Sequence, residues 1–490
     1  MSWKVDAMRV IALLWRGFLP VWLASAAAAQ MVVGEPLPEP TWQTWVQGEA
    51  VAVAGERAPA CTVLSFHTQA RDAAAFAGDG DYLADLQRRF GDKGLVVVAV
   101  VGDGKPAGRE NWPGCRIVVD QEFSTSRALT KGWTGDAGEA WPWNVVVVGK
   151  GGVVQFLGRS DSGLVDAVEA TLAGREARDA ELRAFQLRLD LPSSFDNVRA
   201  DILGPLAQAL EHAPRDGVLL GLLYLAQATK ANDAAAAKKV VERATAALAN
   251  EPRPLAAFVD LALRGDPRRA GLAASLKPVV HAAVAAAPND GVVQLAFLRT
   301  LVQCGDAREV GRQSVKVRKV ALATAATSLD FATILIQDSN APVHRDLATM
   351  AIDKAAALGA DPRHVLAARY GVAVRCANDG EAAHTLLEQY VKDREALITI
   401  NNDCWYLMTE LPTMGRFDVF AGGLAERMLE HKDGMDAFEF DTAALAMFLN
   451  GRTAEAVALQ ETAIQKGGGQ NPEYEERLQR YKAGVLPAPR

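Results

Sequence analysis

The sequence predicts an α/β domain followed by an all-α array of helical repeats, and its hydrophobic patterning carries this prediction. From Val33 to about Gly174, short apolar runs typical of strands alternate with segments whose apolar residues recur at helical spacing. From about Ala180 to the C-terminus, helical spacing and an excess of Ala and Leu continue without interruption. We therefore expect an α/β domain at residues 33–175 and a helical-repeat domain at residues 180–490.

Composition and charge exclude several classes of protein. The chain has 490 residues, of which half are hydrophobic, and 52 Lys and Arg against 59 Asp and Glu give a net charge of −7. This composition is typical of globular proteins, and the acidic balance argues against a nucleic-acid partner. The five cysteines lie far apart, with no CxxC pair and no short Cys/His cluster. We expect neither a metal site nor a cofactor.

The first 29 residues are typical of an export signal. Basic residues precede the apolar segment from Gly17 to Ala24, and the small residues Ala27 and Ala29 fit a cleavage site before Gln30. The alternative is that the segment is retained as a membrane anchor, because Arg16 interrupts the apolar run. No other uncharged stretch approaches the roughly 20 residues of a spanning helix. We expect a protein of the periplasm or cell envelope.

Five apolar runs predict the strands of the first domain. They are Thr62–Phe66, Leu95–Val101, Arg116–Val119, Asn144–Val148 and Val153–Leu157. Glycines at 149–152 predict a tight hairpin between the last two runs, and helical spacing at 83–90 and 163–173 predicts helices. The expected order is β-α-β-β-α-β-β-α, a mostly parallel sheet that ends in an antiparallel hairpin.

Four segments in this order resemble the exported redoxin-type thiol–disulfide oxidoreductases of the thioredoxin superfamily. They are the lead-in Val33–Pro38, the segment Trp45–Val51, the helix-to-strand passage Tyr82–Val98, and Trp141-Pro142 before a strand. The resemblance covers residues 33–174. It implies a thioredoxin-like fold, a short hairpin at 45–51, and a cis-proline at Pro142.

The sequence departs from this family where the chemistry would occur. In the family, a Cys-x-x-Cys pair follows the first core strand at a helix N-terminus, which lowers the pKa of the attacking thiol. Here the two cysteine positions carry Arg71 and Ala74. Peroxidase-type relatives place their cysteine three residues after a threonine, and from Thr68 that count also arrives at Arg71. We expect no dithiol or peroxidatic reaction at this site.

Three other residues of this domain are candidates for chemistry: two cysteines and one histidine. Cys61 and Cys115 each begin a strand at the edge opposite the usual active site, with one strand expected between them. They are interpreted as two small buried thiols, and the alternative is a redox-responsive pair. His67 stands at the carboxyl end of the first core strand, where ligands gather. A hydrogen-bonded, half-buried histidine is the expectation, with a general base as the alternative.

Polar breaks recur along the second domain at a period near 36 residues. They are Asp233, Asp266, Asp306, Asn340, Asp379, Arg416 and Arg452. Such a period with helix on both sides predicts about seven stacked helical hairpins. The segments after Gly415 and Gly451 repeat the same apolar face and resemble the tetratricopeptide repeat. Stacked hairpins form a long curved surface that usually binds peptides or proteins.

These observations favour an exported, non-catalytic adaptor or scaffold that binds a protein or peptide. The binding surfaces would be the helical array and the Pro142 loop, where Trp141 and Trp143 flank the proline and Arg71 would favour an acidic group. Alternatively, the two tryptophans only pack against the array. Two other functions stay open: a thiol–disulfide oxidoreductase that uses Cys61, Cys115 or a partner's thiol, and a purely structural envelope protein.

Overall fold

The computed structural model describes most of the chain between residues 33 and 484. The described residues are 33–37, 40, 42, 44–53, 55–67, 73–101, 112–120, 145–160, 163–175, 202–230, 233–264, 270–392, 396–410, 413–469 and 471–484. Within them, a mixed β-sheet region comes first and a long series of helices follows. This order agrees with the fold class predicted from the sequence.

Six strands of the described part of the chain form one sheet. They are β1 Thr44–Gln47, β2 Cys61–His67, β3 Leu95–Val101, β4 Arg116–Val119, β5 Val145–Gly149 and β6 Val154–Gly158. Their order across the sheet is β1-β4-β3-β2-β5-β6. Strands β2, β3 and β4 run parallel, while β5 and β6 are antiparallel to their neighbours. The predicted terminal hairpin is confirmed, but the prediction of a mostly parallel sheet is wrong. Of the five strand pairs in the described sheet, two are parallel and three are antiparallel, because β1 pairs antiparallel with β4 and β5 pairs antiparallel with β2.

The segment expected to form a hairpin at 45–51 has a different structure. Residues Thr44–Gln47 form an edge strand that pairs antiparallel with β4, and Trp45 lies opposite Val118. Gly48 then takes a φ of +75°, and residues 48–53 are not in a strand. Strand β1 therefore has β4, and not a neighbouring segment, as its hydrogen-bonding partner. This pairing also covers an edge of β4 that would otherwise be open.

Apolar clusters cover both faces of the sheet. On one face, α1 (Ala73–Phe90) and α2 (Leu164–Leu172) pack against a cluster that contains Cys61, Cys115 and Trp112. On the other face, the N-terminal segment at 33–53 covers the alternate strand residues. Burial on both faces explains why the β3 and β5 sequences are continuous runs of valine and other small apolar residues.

Helices form the rest of the described chain. They are α3 Leu203–His212, α4 Gly217–Leu225, α5 Ala234–Ala247, α6 Pro252–Arg264, α7 Ala270–Ala286, α8 Gly291–Gln303, α9 Ala307–Ala321, α10 Ala325–Gln337, α11 Arg345–Ala357, α12 Pro362–Gly371, α13 Gly380–Val391, α14 Leu397–Thr409, α15 Asp418–Leu429, α16 Ala437–Leu449, α17 Thr453–Lys466 and α18 Pro472–Lys482. Short π-helical turns extend α4 and α12.

Successive helices pair as hairpins, and neighbouring hairpins pack against each other. The pairs α4–α5, α6–α7, α8–α9 and α10–α11 are in contact, and the first helices α4, α6, α8, α10 and α12 contact one another in sequence. All of them contribute to one extended apolar core. This arrangement agrees with the predicted stacking of helical hairpins.

Helix caps account for three of the seven polar breaks seen in the sequence. Asp233, Asp306 and Asp379 each accept a hydrogen bond from the backbone N–H three residues later, at the start of α5, α9 and α13. Arg416 and Arg452 lie directly before α15 and α17. Asp266 lies outside the described residues.

No described helix has both the length and the apolar character that a bilayer crossing requires. The predicted export signal at residues 1–29 lies outside the described residues.

Candidate functional site

His67 lies at the carboxyl end of β2, and its side chain is among the described parts of the predicted site. His67 is half-buried, and its Nε2 lies 2.9 Å from the Ser65 hydroxyl oxygen, two residues earlier on the same face of the strand. Its ring meets the fully buried Trp112 edge-on, with 5.3 Å between the ring centroids. These contacts fix the orientation of the imidazole against the α1 face of the sheet.

Of the other residues predicted near this edge, one lies in a described helix and the rest lie outside the described residues. Thr68, Arg71, Trp141, Pro142 and Trp143 lie outside the described residues. Ala74 lies in the first turn of α1, two residues into the helix. Helix α1 therefore follows β2 along the chain, as expected for the predicted degenerate site. The arrangement of side chains at that site stays a prediction.

Cys61 and Cys115 lie at the opposite edge of the sheet. Both are buried and unoxidised, and burial raises the pKa of each thiol to about 12. Strand β3 separates β2 from β4, so that Cys61 pairs in register with Leu95 and not with the segment of Cys115. The side-chain amide of Gln47 donates to the carbonyl oxygens of Trp112 and Cys115, at 2.8 and 3.1 Å. At neutral pH neither thiol supplies a thiolate.

An ion-pair network joins the α/β unit to the array. The guanidinium of Arg215, in the turn before α4, pairs with Asp166 and Glu169 of α2, each at 2.6 Å. The backbone N–H of Arg215 donates to the same Asp166 carboxylate at 3.0 Å. Burial opposes the positive charge, but the two carboxylates raise the pKa of Arg215 above its usual value.

A second arginine enters the same network from the α/β side. Arg89, near the end of α1, pairs at 2.9 Å with Glu251, which is buried in the turn before α6. Glu251 also lies 3.8 Å from Arg215. Burial raises the pKa of the Glu251 and Asp166 carboxyls, and the arginines offset this only in part. The desolvated charges make removal of one partner costly.

A third contact across the junction also uses a turn between hairpins. Arg253, at the start of α6, donates to the Ser160 hydroxyl at 2.9 Å and pairs with the buried Asp290 before α8. Two consecutive inter-hairpin turns therefore contact the α/β unit, and Asp290 in the third pairs with Arg253. The α/β unit and the array are therefore held together by direct contacts, which fix their relative orientation.

A local sequence repeat marks two of these turns and was missed in the sequence analysis. The motif Ala-Pro-x-Asp-Gly occurs at 213–217 and 287–291, which lie 74 residues apart, close to two periods. In both copies the aspartate caps the following helix, with Asp216 and Asp290 accepting from backbone N–H groups. A Cβ on Gly217 would collide with the carbonyl oxygen of Pro254. The glycine therefore lets adjacent hairpins approach closely.

The inner side of the array is covered by the chain itself. Helices α8 and α10 are buried around their whole circumference over most of their length, as is α6. Between them lies a cluster of charged side chains, the inner charge cluster, made of Asp260, Arg264, Arg299, Asp330 and Arg416. Arg299 is 1 % exposed and pairs with Asp260 at 3.0 Å and Asp330 at 2.6 Å.

Opposite charges hold this cluster in its ionised form. Burial opposes ionisation of Asp260, but Arg264, Arg299 and Arg416 outweigh it and lower its pKa to about 2. Burial, together with Arg416 and Arg299, lowers the pKa of Arg264 to about 10 in spite of its 2.7 Å pair with Asp260. Asp260 and Arg264 are thus both charged throughout the physiological pH range.

A short segment from far along the chain closes over this cluster. We call residues 413–417 the strap. Arg416 of the strap pairs with Asp330 at 3.3 Å, and Arg264 donates to the Met414 carbonyl oxygen at 3.4 Å. The side-chain amide of Gln337 donates to the carbonyl oxygen of Gly415. The strap thus covers the inner charge cluster.

Among the described residues, no group of three or more His, Cys, Asp or Glu side chains is arranged to hold a metal ion. Comparison with models of known protein families finds no match for this chain, and a search of curated proteins finds no significant relative.

Proposed function

We propose that this chain is an exported, non-catalytic adaptor of the cell envelope that binds polypeptides. The observation that carries the proposal is the junction built by Arg215, Arg89 and Arg253. It holds the α/β unit in one orientation on the array. A fixed pair of surfaces suits an adaptor, because a bound chain meets both without the entropy cost of ordering a linker.

The proposal includes a thioredoxin-like fold for the α/β unit and tetratricopeptide-like repeats for the array. A thioredoxin-like α/β unit is supported by the parallel centre β4-β3-β2 and by the antiparallel pair β5-β6 beyond it. Tetratricopeptide-like repeats are supported by the period near 36 residues and by the aspartate caps at the predicted breaks. A degenerate active site follows from Arg71 and Ala74 at the family's cysteine positions.

Thiol chemistry at Cys61 or Cys115 is disfavoured by the environment of both side chains. A thiol whose pKa is about 12 is almost entirely protonated at pH 7, and both sulfurs are buried in an apolar cluster. We expect the purified protein neither to reduce insulin disulfides nor to consume peroxide with a thiol donor. A rate that Cys61→Ser or Cys115→Ser abolishes would instead establish a redox enzyme.

Export is tested by the N-terminus of the protein recovered from its native cells. We expect sequencing to begin at or near Gln30 in the envelope fraction. Recovery only from the cytosol, with an intact start at Met1 or Met8, would overturn this part of the proposal.

Polypeptide binding is tested by site-specific photocrosslinking in the native envelope. A benzophenone amino acid replaces one exposed apolar residue of the array at a time. The positions are Val292, Val315, Val343, Ile398 and Tyr406. Lys150, exposed in the β5–β6 turn of the α/β unit, is the control position. We expect a discrete polypeptide adduct at one or more array positions and none at Lys150. The absence of adducts at every array position would contradict the proposal.

A further inference from the structure

Helix α9 is an outer helix, by which we mean the second helix of its hairpin. It is unusually basic for a chain with a net charge of −7. It contains five basic residues and one acidic residue, Glu309. At 3.6 residues per turn, Arg308, Arg312, Lys316 and Lys319 fall within about 100° of arc. All four are exposed, and we call them the basic face.

The charges of the basic face are mostly unpaired within the described part of the chain. Arg312 pairs with Glu309 one turn earlier. Arg308, Lys316 and Lys319 have no carboxylate within 4 Å among the described residues. Elsewhere in the array, exposed arginines occur both paired, such as Arg452 with Glu426 and Glu455, and without a carboxylate partner among the described residues, such as Arg345 of α11. What distinguishes α9 is that three such charges lie in one row.

An apolar side chain lies within the basic face. Val315 is 69 % exposed and sits on the same side of α9 as Arg308, Arg312 and Lys319. The apolar side of α9, with Val310 and Val317, is buried in the array core. Because its apolar side is occupied, α9 cannot insert into a bilayer as an amphipathic helix does.

The neighbouring helices favour a narrow occupant over a broad anionic surface. The second helices of stacked hairpins lie side by side, and Lys277 of α7 pairs at 2.8 Å with the cap residue of α9. Helix α11 of the next hairpin exposes Asp346 and Asp353 beside Arg345 and Lys354, so its exposed charges balance. The excess of positive charge is therefore confined to α9, whereas a flat anionic membrane would span several hairpins.

We propose that the basic face of α9 binds an acidic segment of polypeptide. Successive basic residues four apart rise by about 6 Å along the helix, close to the spacing of alternate residues in an extended chain. A segment with acidic residues at alternate positions can therefore pair with several of the four in turn, and Val315 adds an apolar contact. The inference rests on the proposed polypeptide-binding function and names the partner's chemistry.

The test measures binding of a fluorescein-labelled (Glu-Ala)6 peptide to the full chain by fluorescence anisotropy. We expect binding at 25 mM salt that weakens as salt rises to 200 mM, because exposed charges are screened over about 10 Å at 0.1 M. Lys316→Glu with Lys319→Glu should weaken binding at least tenfold. The matched control Lys238→Glu with Lys239→Glu, on the outer helix α5, changes net charge equally and should weaken binding less than twofold.

Three results would overturn the inference. An equal loss in both double variants would show that only net charge matters. Tighter binding to vesicles containing 30 % phosphatidylglycerol than to the peptide, lost in the α9 variant, would identify a lipid surface instead. Absence of peptide binding at 25 mM salt would remove the acidic segment as partner, while photocrosslinking at other array positions would still support polypeptide binding. If the reversal variant loses its circular dichroism, Arg308→Gln with Arg312→Gln replaces it.

Discussion

The α/β unit and the helical array differ in what they bury. The buried residues of the described strands are apolar or, at Thr62 and Ser65, carry a hydroxyl group. The array buries several charged residues, among them Arg299 in the inner charge cluster and Arg477, which pairs with Asp441. The strands of the α/β unit are held by apolar packing and backbone pairing, although Asp120 directly after β4 is also buried. The array adds several buried ion pairs to its apolar core.

The difference follows from how each region defines its contacts. In the sheet, backbone hydrogen bonds and the alternation of side chains fix the register of every strand. Between helices no such ladder exists, and apolar faces alone tolerate sliding. A buried ion pair is costly unless its partners meet, so it favours one arrangement of the hairpins over its neighbours. We infer that the inner charge cluster specifies the curvature of the array.

The largest effect is expected from removing the central arginine of that cluster. Arg299→Ala leaves Asp260 and Asp330 buried with less compensation, at a cost of about 3–5 kcal/mol in the free energy of unfolding. Urea unfolding followed by circular dichroism measures this cost. Arg312→Ala on the exposed face of α9 is the control and should stay within about 0.5 kcal/mol of the parent protein. Equal stability of the two variants would contradict the role of the cluster.

A somewhat smaller effect is expected in the strap. Gly415 has a φ of +68°, and a Cβ there would collide with the carbonyl oxygen of Arg264. Gly415→Ala should therefore cost about 2–4 kcal/mol, from left-handed strain and overpacking together. Gly451→Ala is a matched control, because Gly451 has a φ of +78° with no atom near the new Cβ. Its cost, from strain alone, should be about 1 kcal/mol.

The junction between the two regions should respond at an intermediate level. Arg215→Ala leaves Asp166 without its partner, and we expect a loss of about 2–3 kcal/mol because Arg215 is one-fifth exposed. Amide hydrogen exchange should rise in α2 and in the turn at 213–216, while β2 and β3 keep their protection. Unchanged exchange in α2 would mean that apolar contacts alone hold the junction.

The smallest effect concerns a single carboxyl group of the array. Burial raises the pKa of Asp418, at the start of α15, from 3.8 to about 7, and one carboxylate oxygen has no hydrogen-bond partner. The folded state binds this proton more tightly than the unfolded state, so stability falls as pH rises from about 4 to 7. Asp418→Asn should therefore stabilise the protein by about 1–2 kcal/mol at pH 8. The gain should shrink towards pH 4, and a constant gain would contradict the assigned pKa.

The parts of the fold that could be predicted are those encoded locally. Continuous valine runs mark strands buried on both faces, and aspartates at the breaks mark helix starts because they cap free N–H groups. The partner of β1 could not be predicted, because its pairing with β4 joins segments some 70 residues apart in a half-polar pattern. The Ser65–His67 contact was foreseeable from strand alternation, since residues two apart share a face.

The junction and the inner charge cluster were beyond sequence reasoning for a related reason. Arg89 meets Glu251 across 162 residues, and Arg264 meets Met414 across 150. Charged residues are common on any helical surface, so composition does not distinguish those that pair at long range. A local signal was the repeated Ala-Pro-x-Asp-Gly turn, whose first copy contacts the α/β unit through Arg215 and whose second copy holds Arg253 through Asp290.

The strap also has a consequence for how the array folds. In an ordinary solenoid each repeat touches only its neighbours, so segments can unfold one after another and intermediates accumulate. Here the strap belongs to the hairpin of α14 and α15 and contacts both α6 and α10, in hairpins that are not its neighbours. Opening any hairpin between α6 and α15 therefore releases contacts in the others. We expect this stretch to unfold as one cooperative unit, with α16–α18 free to fray first.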